Sequence, residues 1–503
     1  MRRISFGLFA SMILGVFLIS LCATGVYAQG TTTGTINGAV KDQNGAVVAG
    51  ANITVKNEAT GVERKATSGE DGLFVVDQIT PGSYSIIVEG QGFKRTVAPK
   101  IIVQVSQTTN VTINLELGSV NETVTVTSGV QEIINTTSPT LTSIINTKQV
   151  VDLPLGDRNP INLAGLQAGI AVVGTDNRGS SISGLRQTAV NLTQDGINAM
   201  DNFVKTSSLF AITTPSLNST SEFSITTGTV GADAGRGAAQ VNIVTKGGTN
   251  EFHGGAFLQL LNSWTDASPF FNNFNGAAKP IRRQHYDGFD IGGPVFGPKF
   301  GEGGKSYWNG KDKAFFFVSY ERFVDTTSVN RNRVVLSQNA RNGIFQFTSG
   351  GVTQTVNLLA LPSVPFHSLN PIMTAHLALI PLPNNNNCSS SDGFNIGCFQ
   401  FNVSQLTTND KYVVRYDHQL VRNTKLGSHK VEFVFSRVLT RTFPDVTTNG
   451  LEAPFPGGVN GFQASTRNLV TPALVSEFGP HVTNVFRVGR QWEIGRASCR
   501  ERV

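Results

Sequence analysis

The sequence lacks long apolar runs after its N-terminus, and it has little charge. No segment beyond residue 30 approaches the roughly 20 consecutive apolar residues that a membrane-spanning helix needs, so any membrane crossing has to be made by strands. Charged residues are only 15% of the 503 residues, whereas glycine occurs 53 times and phenylalanine 33 times. This composition is typical of a chain of many strands and turns.

Signatures of catalysis are lacking too. The seven histidines, which include His253, His285, His418 and His429, are scattered without HExxH or comparable ligand spacing. The segment 299–306 (KFGEGGKS) ends like a phosphate-binding loop, but a lysine stands where that motif needs its first glycine. No nucleophile-elbow pattern organises the serines. The sequence therefore predicts no enzyme, no cofactor and no metal site, and we interpret 299–306 as a polar periplasmic turn.

The first thirty residues indicate export. Two arginines precede an apolar run, and residues 26–28 (VYA) offer small side chains for cleavage. We expect residues 1–28 to be a signal peptide, with an uncleaved membrane anchor as the alternative. A lipid anchor on Cys22 is disfavoured because Leu21 is too bulky for the residue before a lipidated cysteine.

The last ten residues, 494–503 (IGRASCRERV), look like the translation of a sequencing adapter. On this interpretation the natural sequence breaks off near residue 493, and a natural basic tail is the alternative. Without the signal and the tail, the formal charge falls from +6 to +2. A nucleic-acid partner is therefore not predicted.

Only two of the four cysteines, Cys388 and Cys398, lie between the signal and the tail. In an exported protein two such cysteines are expected to pair. They lie beside the asparagines 384–387, in the longest polar segment of the chain. We predict a local disulfide in a surface loop.

The segment 31–117 has short strands with regular turn signals, which is typical of an antiparallel β-sandwich. Ile53 and Val55 alternate there with polar neighbours. The residues that carry a family pattern are Gly38, Val40, Asp42, Gly45, Val48, Gly50, Ala51, Gly72, Phe74, Gly82, Tyr84, Gly92 and Phe93. They resemble a carboxypeptidase-regulatory-like domain, which implies a transthyretin-like or Ig-like sandwich that is not itself catalytic.

The segment 119–250 carries a second pattern, whose principal residues are Arg158, Asn159, Asp195, Gly196, Gly235 and Arg236. Further matching residues are Leu153–Asp157, Leu163, Gly169, Ile170, Gly184, Ile197, Glu222, Phe223, Val241–Thr245 and Gly248–Asn250. The pattern resembles the α+β plug domain of TonB-dependent outer-membrane receptors, in particular the Oar-like branch. Thr193 and Gln194 depart from it, because the family usually has apolar residues there.

From residue 251 to 493 the sequence predicts an incomplete antiparallel transmembrane β-barrel. Seven segments have the length of transmembrane strands, namely 252–262, 285–296, 313–325, 409–420, 430–442, 466–478 and 482–492. Their apolar faces alternate with faces that carry Ser319, Glu321, Arg415, Asp417, Glu432 and Ser436, and we assign those faces to the lumen.

A soluble sandwich with the same alternation is the alternative to a barrel. The turn at 421–430 is short, whereas the connections 326–408 and 443–465 are long, as expected when one barrel end faces the periplasm and the other the exterior. A plugged barrel closes with about 22 strands. We therefore expect an open sheet, whose free edges promote aggregation of the isolated chain.

Between sandwich and plug lies a run of alternating threonine and valine: Glu122, Thr123, Val124, Thr125, Val126 and Thr127. It resembles the TonB box, the segment that pairs with the energising protein TonB as an added strand. The alternative is a last strand of either neighbouring domain, since such alternation suits any strand.

The resemblance implies a Gram-negative outer-membrane location with the N-terminal module in the periplasm. The partners it implies are TonB, an extracellular solute, outer-membrane lipid and a surface lipoprotein. Three functions stay open at this point: energised uptake of a glycan, siderophore or peptide, surface adhesion of the Oar type, and soluble extracellular binding.

Overall fold

The computed structural model describes residues 32–119, 123–125, 140–153, 155, 158–173, 179–201, 209–228, 237–268, 270, 279, 282–298, 307–385, 388–424, 427–446, 452–479 and 482–499. They form an N-terminal sandwich (34–125), a plug (140–245) and a strand wall (253–499). The predicted signal peptide lies outside these residues. None of the helices they contain is long and apolar enough to cross a membrane.

The sandwich consists of two sheets, with strand orders β4-β1-β7 and β3-β2-β5-β6-β8. Its strands are β1 Gly34–Asp42, β2 Asn52–Asn57, β3 Glu63–Thr67, β4 Leu73–Ile79, β5 Gly82–Glu89, β6 Arg95–Val103, β7 Thr108–Leu115 and β8 Thr123–Thr125. Alternate residues such as Ile53, Val55 and Ile86 are fully buried between the sheets. Gly38 lies under the ring of Phe74, where any Cβ would overlap it, so both residues of the family pattern serve packing.

The sandwich is not wholly antiparallel, and this corrects the expectation from the sequence. Strand β7 pairs with β1 in parallel, and β8 pairs with β6 in parallel. Turn signals between consecutive strands predict hairpins well. They carry no information about pairing between strands that are far apart in the sequence.

The plug is built on a five-stranded sheet of order β13-β12-β15-β14-β9. Its elements are β9 Thr140–Ile145, a helix Thr147–Asp152, a 3-10 helix Pro160–Leu166, β10 Ile170–Ala171, β11 Ser181–Ile182, a 3-10 turn Gln187–Ala189, β12 Val190–Gln194, β13 Ile197–Asn198, β14 Thr220–Gly228 and β15 Ala239–Thr245. Leu192, Phe223 and Ile243 are fully buried in a core separate from that of the sandwich.

The wall is one antiparallel sheet of order β16-β17-β20-β23-β24-β25, and both β26 and β27 pair with β25. Its strands are β16 His253–Asn262, β17 Arg282–Pro294, β20 Ala314–Leu336, β23 Ile396–Thr424, β24 Gly427–Phe443, β25 Gly461–Phe478, β26 Val482–Arg487 and β27 Arg490–Cys499. Two hairpins stand beside it, formed by β18 Phe296–Pro298 with β19 Tyr307–Asn309 and by β21 Ile344–Ser349 with β22 Val352–Asn357. Helical segments occur at Gln338–Arg341, Leu358–Ala360 and Pro371–Leu379.

Each of the seven predicted transmembrane segments overlaps a wall strand, and the mainly β fold is confirmed. The edge strands of the wall pair with no further described strand, so the described strands form an open sheet. The predicted loop 326–408 needs correction, because β20 continues to Leu336 and β23 already starts at Ile396. Beyond the lipid band a strand no longer needs an apolar face, so these extensions carry no alternating signal.

The two faces of the wall differ as the alternation predicts. Tyr412, Val414 and Phe433 are 37–39% exposed on the outer face. Ser319 and Glu321, on the opposite face of β20, are only 2% and 1% exposed. The inner face is covered by the plug.

Candidate functional site at the plug–wall interface

A three-residue charge cluster centred on Glu321 joins the plug to the wall. Arg158 of the plug places Nε 3.1 Å from Glu321 Oε2, and Lys411 of β23 places Nζ 3.1 Å from Glu321 Oε1. All three side chains are at most 12% exposed. A carboxylate that accepts from two cations has both oxygens satisfied, which offsets the cost of removing the charges from water.

The surroundings of Arg158 fix its guanidinium further. Its Nη2 donates to Asn218 Oδ1 at 2.8 Å, and the group stacks 4.0 Å from the ring centre of Phe257 on β16. Asn218 in turn donates to Asp290 of β17 at 3.0 Å. Arg158 has a positive φ of 50°, a conformation that costs energy in a non-glycine residue and persists where its surroundings hold it.

Asp195 organises the end of the plug sheet. Its carboxylate accepts from the backbone N–H of Thr245 at 2.8 Å and from the Thr245 hydroxyl at 2.6 Å. Asp195 and Gly196 both have positive φ, of 50° and 79°, in the turn between β12 and β13. Burial raises the pKa of the Asp195 carboxyl, and the nearby Arg415 opposes that rise.

Arg415 of β23 connects the end of the plug sheet to the wall. Its Nη1 donates to the Thr245 carbonyl at 2.7 Å, and its Nε donates to Asp417 at 3.0 Å. Arg487 adds a second link, because it donates to the Asp195 carbonyl at 3.0 Å and lies 3.3 Å from Glu432. Plug and wall therefore share one connected set of charges.

Thr193 and Gln194, which differ from the apolar residues usual in the plug family, both form buried hydrogen bonds. Gln194 is fully buried and donates from Nε2 to Ser436 of β24 at 2.8 Å. Thr193 donates to Asn242 of the neighbouring strand at 2.7 Å. Consecutive strand residues point to opposite faces, so Gln194 reaches the wall from the face of β12 that also carries Leu192. Thr193 lies on the other, polar face of the sheet, where Asn242 donates to Ser106 of the sandwich at 3.1 Å.

Of the principal plug residues, Asn159 has a local role, since its side chain caps the 3-10 helix by accepting from Ile161 N–H at 3.1 Å. Gly235 and Arg236 lie outside the described residues. Sequence reasoning missed Ser216 and Asn218, which contact Ser319 and Asp290 of the wall. They lie outside any periodic segment, so no pattern in the sequence identifies them.

The predicted TonB-contact segment is described only at Thr123–Thr125, whereas Glu122, Val126 and Thr127 lie outside the described residues. Thr123–Thr125 is β8, which pairs with residues 95–97 of β6. This is the alternative left open from the sequence, a last strand of a neighbouring domain. The strand lies at the edge of its sheet, and its other side pairs with no described strand.

The sandwich meets the plug and the wall at the end where the wall turns are short. Arg64 forms an ion pair of 2.5 Å with Glu477 of β25, and Asn250 N–H donates to the Ala59 carbonyl at 2.9 Å. The Val105 N–H donates to Glu222 of the plug at 2.8 Å. Burial raises the pKa of the Glu222 carboxyl to about 7, and the Val105 N–H opposes that rise.

A cavity of about 390 Å³ lies where the three parts meet. Its walls include Arg64 of the sandwich, Lys246 beside the plug, and Arg415, Glu432 and Glu477 of the wall. Charges of both signs line it, and most of them are already in the ion pairs described above. The cavity therefore belongs to the interface between the domains.

Cys388 and Cys398 form a disulfide that ties the loop before β23 to the start of that strand. Among the described residues, no three histidine, cysteine, aspartate or glutamate side chains lie together as a metal site would need.

Comparison with known families gives two matches. Residues 244–500, just over half of the chain, match the outer membrane beta barrel domain, and residues 35–116 match the carboxypeptidase regulatory-like domain. The TonB-dependent transporter Oar of Myxococcus xanthus is 27% identical over 343 residues, covering 62% of this chain and 29% of that protein. The chain thus spans less than a third of the length of this relative.

Two solved structures are also similar. The alcaligin outer-membrane receptor FauA of Bordetella pertussis has a TM-score of 0.32 at 15% identity, over 72% of this chain and 49% of that one. The siderophore receptor PirA of Acinetobacter baumannii has a TM-score of 0.30 at 14% identity, over 71% and 48%. The chain belongs to the outer membrane beta barrel domain family, with a carboxypeptidase regulatory-like domain at its N-terminal side and a resemblance to TonB-dependent transporters of the Oar type.

Proposed function

We propose that the protein acts in the outer membrane as a TonB-dependent receptor for energised uptake of a large solute, with the plug as its moving part. The observation that carries this proposal is the polar character of the plug–wall interface. The core of the plug is apolar, yet the face that it turns to the wall carries Gln194, Asn218 and Arg158.

A polar interface suits a part that has to move. When a hydrogen bond across the interface opens into a wet lumen, water replaces the lost partner, and the net cost is about 1 kcal/mol for each neutral bond. An apolar interface of equal area would instead lose its burial at about 25 cal/mol per Å² with no replacement. Ion pairs such as Arg158–Glu321 hold the plug firmly in the closed state and still allow its displacement under force.

The edge strand β8 supports a contact with TonB. An extended segment with one free side can accept an added strand through backbone hydrogen bonds. In the chain β8 precedes β9, which is itself the edge strand of the plug sheet and pairs with β14. A pull on residues 122–127 would therefore reach the plug at a strand that can be peeled away from one side.

The position of the sandwich supports a periplasmic location for it. Its contacts with Glu477 and Thr483 lie beside the short turn between β25 and β26. Short turns face the periplasm in outer-membrane barrels. The proposed solute is a glycan, siderophore or peptide, as the resemblance of the plug segment implies. The curated relative Oar is named a transporter. A surface lipoprotein would assist capture of the solute.

The test is Val124→Pro, which removes a backbone donor from the proposed pairing strand. Lys65→Pro is the matched control, because Lys65 lies on β3, the opposite edge of the same sheet. We expect Val124→Pro to abolish cross-linking to the purified periplasmic domain of TonB and to abolish uptake of whichever labelled siderophore, oligosaccharide or peptide the parent takes up. Binding of that solute to whole cells should persist.

Equal cross-linking and uptake in both variants would reject the TonB contact. Cell-surface attachment without any energised accumulation, in the parent as in the variants, would favour the adhesion function instead.

A further inference from the structure

Three arginines stand out on the outer face of the wall: Arg322 on β20 and Arg437 and Arg441 on β24. We refer to them as the outer arginines. Arg322 follows Tyr320 by two residues on the same face, and Arg437 follows Phe435 by two residues. All three side chains are exposed.

Arg437 lies level with two tyrosines of the outer face, and Arg322 and Arg441 lie closer to one end of the wall. Tyr320 pairs with Tyr412, and Tyr412 pairs with Arg437. Arg322 and Arg441 pair with residues 410 and 408, which lie two and four positions closer than Tyr412 to the start of β23. The direction is towards the long connections, which is the exterior end of the wall. Aromatic side chains mark the level of lipid headgroups in outer-membrane barrels.

Three cations on the inner face of the wall contrast with the outer arginines. Lys411, Arg415 and Lys430 on the inner face all have carboxylate partners within 3.1 Å. For the part of the wall that the structure describes, none of the outer arginines has a carboxylate within ion-pair distance.

Two carboxylates do lie near Arg322 on the outer face, and both have other partners. Asp410, opposite Arg322 on β23, accepts from the Tyr320 hydroxyl at 2.8 Å. Asp287, opposite Arg322 on β17, lies 3.6 Å from His285. The guanidinium groups are therefore left to a ligand outside the chain.

We propose that the outer arginines bind the phosphate groups of a phosphorylated lipid in the outer leaflet. Guanidinium groups match phosphate oxygens in a bidentate way, and the position at the rim of the apolar band places them at the headgroups. The interaction would fix the height and rotation of the wall in the membrane. It stands on the outer-membrane location of the wall and is independent of solute uptake.

The experiment uses the full chain extracted from outer membranes in a nonionic detergent. Fluorescent lipid A with two phosphates is titrated into the micelles, and dephosphorylated lipid A is the ligand control. We expect saturable binding of the phosphorylated lipid alone. Replacing the outer arginines together by glutamine should weaken binding roughly a hundredfold, since each basic side chain near an anionic headgroup contributes about fivefold to the affinity.

Lys65→Gln, Lys148→Gln and Lys311→Gln together form the matched control, because they remove the same charge from exposed positions of the sandwich, the plug and the short-turn end of the wall. This variant should bind like the parent. A charge-preserving variant with Arg322→Lys, Arg437→Lys and Arg441→Lys should keep most of the binding, which separates loss of charge from loss of folding.

Equal binding of lipid A by the parent and by the glutamine variant would overturn the proposal. So would equal binding of the phosphorylated and dephosphorylated lipids. A parent dimer that the glutamine variant converts to a monomer, with no change in lipid binding, would assign the outer arginines to a contact between two copies of the chain.

Discussion

The plug and the sandwich both contact the wall, but they do so in different ways. The plug is joined to it by buried charge clusters, in which Glu321 is 1% exposed and holds Arg158 and Lys411. The sandwich is joined to it by a few contacts at its rim, of which the Arg64–Glu477 pair has side chains 13% and 19% exposed. The sandwich has a complete apolar core of its own. The comparison shows that the wall needs the plug as a partner for its inner charges and uses the sandwich only as an attached module.

The largest expected effect is that of Glu321→Ala, which leaves two cations buried without their carboxylate. Breaking a buried ion pair from one side costs about 3–5 kcal/mol, and we expect the free energy of unfolding to fall by that amount in urea titrations in detergent. Glu493→Ala is the control, because its pair with Arg467 is 28% and 36% exposed and is worth at most about 1 kcal/mol. If the free energy of unfolding fell equally in the two variants, buried and exposed ion pairs of the wall would not differ in their contribution to stability.

The second effect concerns pH at the contact between sandwich and plug. Burial raises the pKa of Glu222 from 4.5 to about 7, so the folded protein binds a proton that the unfolded chain has lost. The contribution of Glu222 to the free energy of unfolding should therefore be most favourable below pH 4.5 and should fall as the pH rises towards 7, by about 1.4 kcal/mol for each unit of the shift. Urea midpoints of the parent and of Glu222→Gln, measured from pH 4 to 8, should differ in slope only within this window. Parallel curves would show that Glu222 is not buried in this way.

The smallest effect on stability is expected for Arg64→Ala. The ion pair with Glu477 has side chains 13% and 19% exposed and is less buried than the Glu321 cluster, so its loss should lower the free energy of unfolding by about 1–3 kcal/mol. Limited proteolysis between the sandwich and the plug should nevertheless become faster, because a tether between the sandwich and the wall is gone. Lys56→Ala, which removes a pair with Glu63 inside the sandwich, should leave the rate of cleavage unchanged.

The alternation in the wall strands could be interpreted from sequence because the two faces meet different surroundings. Ser319 and Glu321 were assigned to the lumen on that basis, and the structure buries both against the plug. Their partners could not be predicted, since Arg158 lies 163 residues away from Glu321 and only the docked plug brings them together.

Polar residues inside the plug were harder to interpret. Thr193 and Gln194 depart from the family pattern, yet they lie in a strand whose five residues are all buried. When both faces of a strand are buried and one of them packs against polar groups, polar residues no longer mark the exposed side. The alternation of apolar and polar residues then does not predict burial. A different reason applies to β20 beyond residue 325. There the strand continues outside the lipid band and needs no apolar face, so its sequence resembles a loop.

The central claim is that the plug lies against the inner face of the wall. Ser216 of the plug and Ser319 of β20 have hydroxyl oxygens 3.2 Å apart, so cysteines at these two positions would face each other. In outer membranes, the variant with Ser216→Cys and Ser319→Cys should become internally cross-linked under mild oxidation, as a mobility shift on non-reducing gels. The variant with Ser216→Cys and Tyr320→Cys, whose second position faces outward, should not. Cross-linking in the second variant and not in the first would contradict the account.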